Sequence, residues 1–534
     1  MRADAGKAIG HSKFLSWIER GGNKLPDPVF LFLYLIAGLI LLSVFGAAMN
    51  WSAIHPTEID PETGAKKVIA ATSLLSADNI RNLWVEMPKT FTSFHPLGYV
   101  LVVMLGAGVA EKSGLFGAAM RAGVANAPTY LLTPIVALVA MMGNLAADAA
   151  YVVLIPLAGV IYAAAGRHPI AGIAAAFAGV SGGFSANLFP GQLDALLFGI
   201  TQSAANTVFP DWQANIAGNW YFIVGMTIVF LPVIWYVTDK IVEPRLGTYR
   251  AEGANAVVAG AAMDARGVSE TEISQPLSSD QRKGLLHAGL ASIGVVALWV
   301  LMTLGPDTPL IDETAAPEAQ LTPFYQSLVA GFMILFLLAG WAYGRATGIV
   351  KNHRDVVRMM SESMADMAYF LVLAFAIAHF VAMFGWSNLG LITAVHGSDG
   401  LNALALPAPL LLILVVLFTA ALNLFIGSAS AKWALLAPVL IPMLMLLGVS
   451  AEMTTAAYRV GDGATNIITP LMVYFPLILV FCQRWVKDFG IGSLAATMVP
   501  YSIGLLLIGM ALVGVWVAAK IPLGPSAPVY LPTR

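Results

Sequence analysis

The chain has 534 residues, of which 58% are hydrophobic and 11% are charged, and its mean hydropathy is +0.79. Because an average soluble domain has about 25% charged residues, this composition excludes a water-soluble fold. The formal net charge of −2 argues against a nucleic-acid partner, and the single cysteine, Cys482, excludes a disulfide framework and a multi-cysteine metal site.

Residues 1–28 are mostly polar and precede the first apolar stretch, which predicts a cytoplasmic leader and a retained membrane anchor rather than a cleaved signal peptide. A helix needs about 20 apolar residues to cross a bilayer. We predict nine such spans, two of them broken by a central interruption and one of uneven hydropathy. They are 29–49, 97–115, 170–200 (broken), 220–239, 285–304, 323–342, 367–394 (uneven), 452–481 (broken) and 493–518.

Two further apolar stretches, 129–165 and 406–448, are too long for one span, and small or polar residues interrupt each in its middle. This pattern predicts helical hairpins that enter and leave the membrane on the same side, with the tip lining a cavity. The predicted fold is therefore an all-α polytopic membrane protein with about nine transmembrane helices and two re-entrant hairpins.

Lysine and arginine residues cluster in segments that this topology puts on one side. The segments are the leader, Arg167, the solvated linker 240–284, the loop 343–366 and the pair Arg484 and Lys487. Basic loops remain in the cytoplasm. We therefore predict a bacterial inner-membrane protein with a cytoplasmic N-terminus. The loop 50–96 then forms a small cap on the other side, where the tail 519–534 also lies.

The interruptions of the two halves correspond to each other. The first hairpin tip contains Asn144 and the second contains Asn423, and each following helix has a glycine-rich break that contains an asparagine, Asn187 or Asn466. In both halves 43 residues separate the two asparagines, so an offset of 279 residues superposes both pairs. The hairpins open from opposite sides, which predicts the inverted repeat with broken helices that is typical of secondary transporters.

The tips and breaks also contain the candidate ion ligands. Backbone carbonyls and asparagine oxygens suit a hard cation. Asn423, Asp462 and Asn466 would form a sodium-type site in the second half. Asn144, Ser185 and Asn187 would form its counterpart in the first half. The alternative is that these amides only cap helix ends. No organic cofactor is predicted, and the eight histidines lack metal-ligand spacing.

Ionisable residues inside a membrane are costly and are functional candidates. Five lie in the predicted hairpins and breaks: Asp148, Asp194, Lys432, Arg459 and Asp462. Arg459 and Asp462 are three residues apart and could pair with each other, or Arg459 could face a cavity and bind a substrate carboxylate. Asp194 could bind a proton or a substrate amine, or could cap its helix.

Trp433 follows the second tip in a stretch of small residues and offers a flat face for an aromatic substrate. A tryptophan in a membrane helix is more often an anchor at the interface.

Two other classes of function compete with transport. An intramembrane protease could use Asp194 and Asp462 as an aspartyl dyad, but the sequence Arg459-Val460-Gly461-Asp462 lacks the expected Gly-x-Gly-Asp pattern. A passive channel would not need paired hairpins with charged breaks. We therefore expect a transporter and not an enzyme.

The second-half stretches 423–433, 457–462 and 465–470, together with Ser185, Ala186, Asn187, Leu188 and Asp194, resemble the p-aminobenzoyl-glutamate transporter (AbgT) family. The likeness extends over the whole chain except the loops 50–96 and 240–284. It implies a homodimer of the ion-transporter superfamily that moves p-aminobenzoyl-glutamate, with sodium or proton coupling, or that exports sulfonamide antimetabolites. The positions implied for substrate are Asp194, Ser430, Trp433, Arg459, Asp462 and Pro470, and those implied for sodium are Asn423, Asp462 and Asn466.

Overall fold

The computed structural model describes residues 26–59, 64, 66–125, 128–146, 150–247, 277–305, 308–315, 320–469 and 471–531. The predictions made for Asp148, for Pro470, for most of the leader and for most of the linker 240–284 fall outside this part of the chain.

Helices dominate the described residues, as the apolar composition predicts, and many begin at a side-chain cap or a proline. Asp27 caps the first helix by accepting from the amide of Val29 at 2.8 Å. The helices are α1 Pro28–Ala48, α2 Ala77–Val85, α3 Met87–Thr92, α4 His95–Lys112, α5 Leu115–Ala125, α6 Leu132–Met142, α7 Ile155–Ala164, α8 Pro169–Phe177, α9 Gln192–Ala205, α10 Trp220–Tyr236, α11 Glu243–Leu246, α12 Ser279–Leu301, α13 Thr322–Gln326, α14 Leu328–Ala346, α15 His353–Asp366, α16 Ala368–Trp386, α17 Leu389–Ala403, α18 Ala408–Asn423, α19 Ala429–Leu446, α20 Ala451–Asn466, α21 Phe475–Trp485 and α22 Ile491–Ala518.

The predicted all-α polytopic membrane fold is confirmed. In the described part of the chain, seven helices are long and apolar enough to cross a bilayer, or eight if α4 and α5, bent by 63°, count as one span. Six of the seven correspond to predicted spans, and the seventh, α19, is the second arm of a predicted hairpin. The two predicted broken spans appear as pairs of short helices, α8 with α9 and α20 with α21.

The polar loop after α1 contains the two strands of the described chain. β1 Ser52–Ile59 and β2 Lys66–Ala70 pair antiparallel, with Ile54 opposite Val68, and α2 and α3 follow. This small layer sits against α17, where His396 contacts the carbonyl of Ser52 at 2.9 Å. The sequence predicts only a polar cap here, because polarity alone does not distinguish a loop from a strand pair.

The helices of the two halves follow one order. When the 279-residue offset is added to α6, α7, α8, α9 and α10, each range falls within or overlaps α18, α19, α20, α21 and α22 respectively. The halves pack directly on each other, since α9 lies against α19 and α20 lies against a π-helical turn, Ala178–Gly182, that extends α8. This order is what the predicted repeat requires, whereas its inversion across the membrane stays a prediction.

The break in the second half lies later than the glycines suggested. The glycine-rich stretch predicts that the helix opens at Gly461 and Gly463, yet α20 continues to Asn466. A Cβ at Gly461 would lie 2.4 Å from the carbonyl oxygen of Val416, and one at Gly463 would lie 2.8 Å from that of Gly182. These glycines therefore let neighbouring backbones approach α20 closely, and the chain leaves the helix only after Asn466.

A charged cluster joins the loop after α7 to the end of α10. The guanidinium of Arg167 contacts Asp239 at 2.5 Å and also pairs with Glu243, and it lies 4.5 Å from the ring centre of Tyr162. Arg167 and the basic residues near Glu243 are thus at the same end of the molecule, as the predicted topology requires.

Candidate functional site

The second tip and the end of α20 meet at Asn423. Its amide nitrogen donates to the carbonyl oxygen of Asp462 at 2.7 Å, to Thr465 Oγ1 at 2.9 Å and to Asn466 Oδ1 at 2.9 Å. The structure therefore brings together the three residues predicted for the second-half ion site, and all three are buried. It adds Thr465, which had not been predicted although it directly precedes Asn466.

A lysine lies inside this cluster. Lys432 Nζ is 2.6 Å from Asp462 Oδ1, donates to Asn423 Oδ1 and lies 3.3 Å from the carbonyl oxygen of Ile426. Its side chain is fully buried. A hard cation needs several free oxygen ligands, and here the oxygens of Asp462 and Asn423 already accept from an ammonium. The arrangement thus fits a lysine better than a sodium ion.

Asp194 and Arg459 form a second buried ion pair, which links the two halves. Arg459 Nη2 lies 2.6 Å from Asp194 Oδ1, and the two side chains are 1% and 6% exposed. The other carboxylate oxygen of Asp194 accepts from the amide of Gly191 at 2.7 Å and so caps α9. Asp194 therefore caps its helix and also pairs with the guanidinium of Arg459. The pairing of Arg459 with Asp462, which the sequence also allowed, does not form in this structure.

The guanidinium of Arg459 keeps a buried donor without a partner. Its Nε is buried and has no hydrogen-bond partner in the described structure. The guanidinium carbon lies 6.0 Å from the ring centre of Phe198, at the outer limit of a cation–π contact. A buried unpaired N–H is destabilising, so the site retains an unused capacity to bind an acceptor.

Trp433 packs in the core between the halves. Its indole nitrogen donates to Thr201 Oγ1 at 3.0 Å, and its ring centre lies 4.3 Å from that of Tyr458. Since Trp433 is 0% exposed, the anchoring role at a membrane interface is excluded. Thr201 and Tyr458 were not predicted, although Tyr458 directly precedes Arg459. Ser430, also on α19, is half-buried, with its hydroxyl 3.2 Å from that of Ser428.

The first half repeats only part of this arrangement. Asn144 donates to the carbonyl oxygen of Gly183 at 3.2 Å, which the 279-residue offset equates with the bond from Asn423 to the carbonyl of Asp462. Asn187 differs from its counterpart, because its oxygen accepts from the amide of Leu188 at 2.9 Å and so caps the local backbone. Ser185 lies buried in the same break. No hydrogen bond joins Asn144, Ser185 and Asn187 to one another in the described residues.

A cavity of about 250 Å³ lies beside the first tip. Three aromatic rings line it, those of Tyr151, Phe184 and Phe370, together with aliphatic and methionine side chains and the amides of Asn144 and Gln192. Gln192 stands in the first turn of α9, two residues before Asp194. The cavity therefore lies close in sequence to the Asp194–Arg459 pair, and its lining of rings and amides is typical of a small-molecule site.

The aspartyl dyad considered for a protease is not formed in this structure. Such a dyad needs two carboxylates that share a proton. Asp194 is paired with Arg459 and Asp462 with Lys432, and no hydrogen bond joins the two carboxylates in the described chain. Each carboxylate instead balances one cation.

Comparison with known proteins identifies a family that covers nearly the whole chain. A profile of the AbgT putative transporter family matches residues 13–531. The p-aminobenzoyl-glutamate transport protein of Escherichia coli (strain K12) is 34% identical over 514 residues, which cover 96% of this chain and 96% of that protein.

Two solved structures are similar over nearly the whole length. The YdaH transporter of Alcanivorax borkumensis, described as having an unusual topology, superposes with a TM-score of 0.83 at 43% identity and covers 94% of this chain and 100% of its own. MtrF of Neisseria gonorrhoeae, described as illuminating a class of antimetabolite efflux pumps, superposes with a TM-score of 0.87 at 42% identity and covers 97% of this chain and 100% of its own.

Proposed function

Because this chain belongs to the AbgT putative transporter family, we propose that it is a secondary active transporter of p-aminobenzoyl-glutamate or a related aromatic carboxylate, coupled to a sodium or proton gradient. It is a multi-pass membrane protein of a bacterial transporter family. Within this proposal it is a homodimer of the inner membrane with a cytoplasmic N-terminus.

The observation that carries the proposal is the buried Asp194–Arg459 pair between the halves. An arginine offers five N–H donors, and Arg459 leaves Nε without a partner. A substrate carboxylate would satisfy this donor and could compete with Asp194 for the guanidinium, whose planar fork matches a carboxylate. Asp194, once released, could accept from the aniline amine of the same substrate. Asp194 and Arg459 are therefore the proposed polar contacts.

The aromatic part of the substrate has two candidate neighbours. The rings of Trp433 and Tyr458 contact each other in the core at an interplanar angle of 33°, and the cavity beside the first tip is lined by further rings. Since Trp433 is fully buried against α9 and Tyr458, an aryl ring reaches it only if this packing opens. We propose that the substrate enters from the cavity and that Trp433, Ser430 and Asp462 line the path beyond it, with Pro470 as a further contact.

A second candidate function is export of sulfonamide antimetabolites driven by a proton gradient. The similarity to MtrF favours it, because that relative is described as an antimetabolite efflux pump. A sulfonamide shares the aminophenyl ring with p-aminobenzoyl-glutamate but lacks the glutamyl carboxylates. Such a substrate would depend on the aromatic contacts and on Asp194 more than on Arg459.

The test is transport by the full chain in proteoliposomes. Uptake and efflux of labelled p-aminobenzoyl-glutamate and of a labelled sulfonamide are measured with sodium and proton gradients imposed separately. The proposal predicts accumulation of p-aminobenzoyl-glutamate against its gradient. Accumulation under neither gradient would refute it, and efflux of the sulfonamide alone would favour the second function.

Arg459→Lys separates the two substrates further. It keeps the charge but removes the planar fork. A charge-assisted hydrogen bond contributes about 1.5–3 kcal/mol, so uptake of p-aminobenzoyl-glutamate should fall about 10- to 150-fold. The sulfonamide should be affected much less. Arg81→Lys, in an exposed pair with Asp78 outside the site, is the matched control and should leave both rates unchanged.

A further inference from the structure

We propose that the ammonium of Lys432 is the resident cation of the second-half site, so that this site holds no sodium in the natural chain. Loss of this one side chain should open the site to a monovalent metal ion. Lys432 would then determine which cation the site accepts.

The orientation of the Asn423 amide supports this assignment. With its oxygen toward Lys432 and its nitrogen toward Asn466 Oδ1 and the carbonyl of Asp462, every contact joins a donor to an acceptor. The flipped amide would set an N–H₂ group against an ammonium and an oxygen against two oxygens. The hydrogen-bond partners therefore determine the orientation of the Asn423 amide. In this orientation the side-chain oxygen of Asn423 accepts from Lys432 and is not free to bind a metal ion.

The charge of the cluster is already balanced. Asp462 brings one negative charge, and Lys432, 2.6 Å away and equally buried, brings one positive charge. A sodium ion bound at the same carboxylate would place two cations beside one anion in a water-poor interior, which is unfavourable. Sodium could therefore enter only if the lysine left.

The lysine is also well placed to replace a soluble ion. It stands on α19, nine residues after Asn423, and its side chain reaches back to the carbonyl of Ile426 at the tip. The same ammonium thus joins the second tip to α20. A tethered group needs no binding from solution, because its effective concentration is fixed by the chain.

The consequence for transport rests on the proposed function: gating at the second tip would proceed without sodium. The binding measurement does not depend on that function, so the two ideas can fail separately. A chain that transports the substrate but binds sodium here would overturn only the inference about Lys432.

The experiment measures ²²Na⁺ binding and thermal stability of the full purified chain, with potassium replaced by sodium at constant ionic strength. The natural chain should show no saturable binding that depends on Asp462. Lys432→Ala should bind about one sodium per chain, and its Tm should rise by about 2 °C when sodium reaches 100 times its Kd. Lys432→Gln, which removes the charge but fills more space, repeats the test if the alanine variant folds poorly.

Three controls decide the outcome. Lys432→Ala combined with Asp462→Asn should lose the new sodium site, because no carboxylate remains. Lys89→Ala removes an exposed lysine 3.6 Å from Glu86 and should create no site. The proposal is overturned if the natural chain binds sodium and Asp462→Asn abolishes that binding, or if neither Lys432 variant binds sodium.

Discussion

Removing the charge of Asp194 should destabilise the protein because it strands Arg459. Asp194→Asn keeps an oxygen that can accept from the amide of Gly191, so the cap of α9 survives while the counter-charge disappears. Arg459 is 1% exposed and cannot turn to water. Breaking a buried pair by removing one partner typically costs about 3–5 kcal/mol. We expect the same range for Arg459→Gln, which strands the carboxylate.

The double variant distinguishes an ion pair from two independent losses. With both charges gone, no buried charge is stranded, so the double variant should be less destabilised than the sum of the single variants by about 2 kcal/mol or more. For a chain of 534 residues, about 2.1 cal/mol/K per residue makes 3–5 kcal/mol equivalent to a fall in Tm of about 3–5 °C.

Tm is measured on the purified chain in one detergent for all variants. Arg81→Gln is the matched control, since Arg81 and Asp78 form an ion pair at 3.0 Å whose side chains are 68% and 84% exposed. An exposed pair contributes at most about 1 kcal/mol, so this variant should shift Tm by about 1 °C or less. If the losses from the two single variants at Asp194 and Arg459 simply added in the double variant, the pair would not be coupled and this reasoning would be wrong.

Gly461→Ala should lower Tm by about 1–3 °C, because the added methyl would lie 2.4 Å from the backbone oxygen of Val416 and α18 and α20 would have to separate. Gly514→Ala is the control, because Gly514 also lies in a helix but an added Cβ would have no other atom within 4 Å. This variant should leave Tm unchanged or raise it by about 1 °C. Equal losses of Tm in the two glycine variants would contradict the packing argument. Arg167→Gln should lower Tm by about 2 °C, because it leaves the partly buried carboxylates of Asp239 and Glu243 without their cation. This loss of Tm should shrink in high salt, because salt screens the repulsion between the two carboxylates. A loss that does not depend on salt would indicate a packing effect instead.

The contacts between tip and break followed from spacing alone. Polar amides are rare in apolar helices, so the matched separation of 43 residues was informative, and Asn423 does bond to Asn466. The first half shows the limit of that argument, since Asn187 bonds to its own neighbours instead. A spacing indicates which segments meet, but the direction of a side chain depends on backbone angles that only the folded chain defines.

The charge pairs could not be derived in the same way. Arg459 and Asp462 lie three residues apart on α20, a spacing that permits an ion pair but does not require one. Each instead pairs with a residue of another element, and the partner of Arg459 is 265 residues away in the other half. Lys432 was recognised as a buried charge, but the sequence did not show that its side chain would reach back across the tip.

The crossing of the two broken helices has a mechanical consequence. At Gly463 the backbone of α20 lies so close to the carbonyl of Gly182 that a Cβ would be 2.8 Å from its oxygen. Side chains in contact can rotate to absorb a displacement, whereas two peptide groups in contact have no such freedom. If transport tilts one half against the other, as the proposed function requires, this contact should therefore act as the pivot, and a gap that opens on one side of it would close on the other.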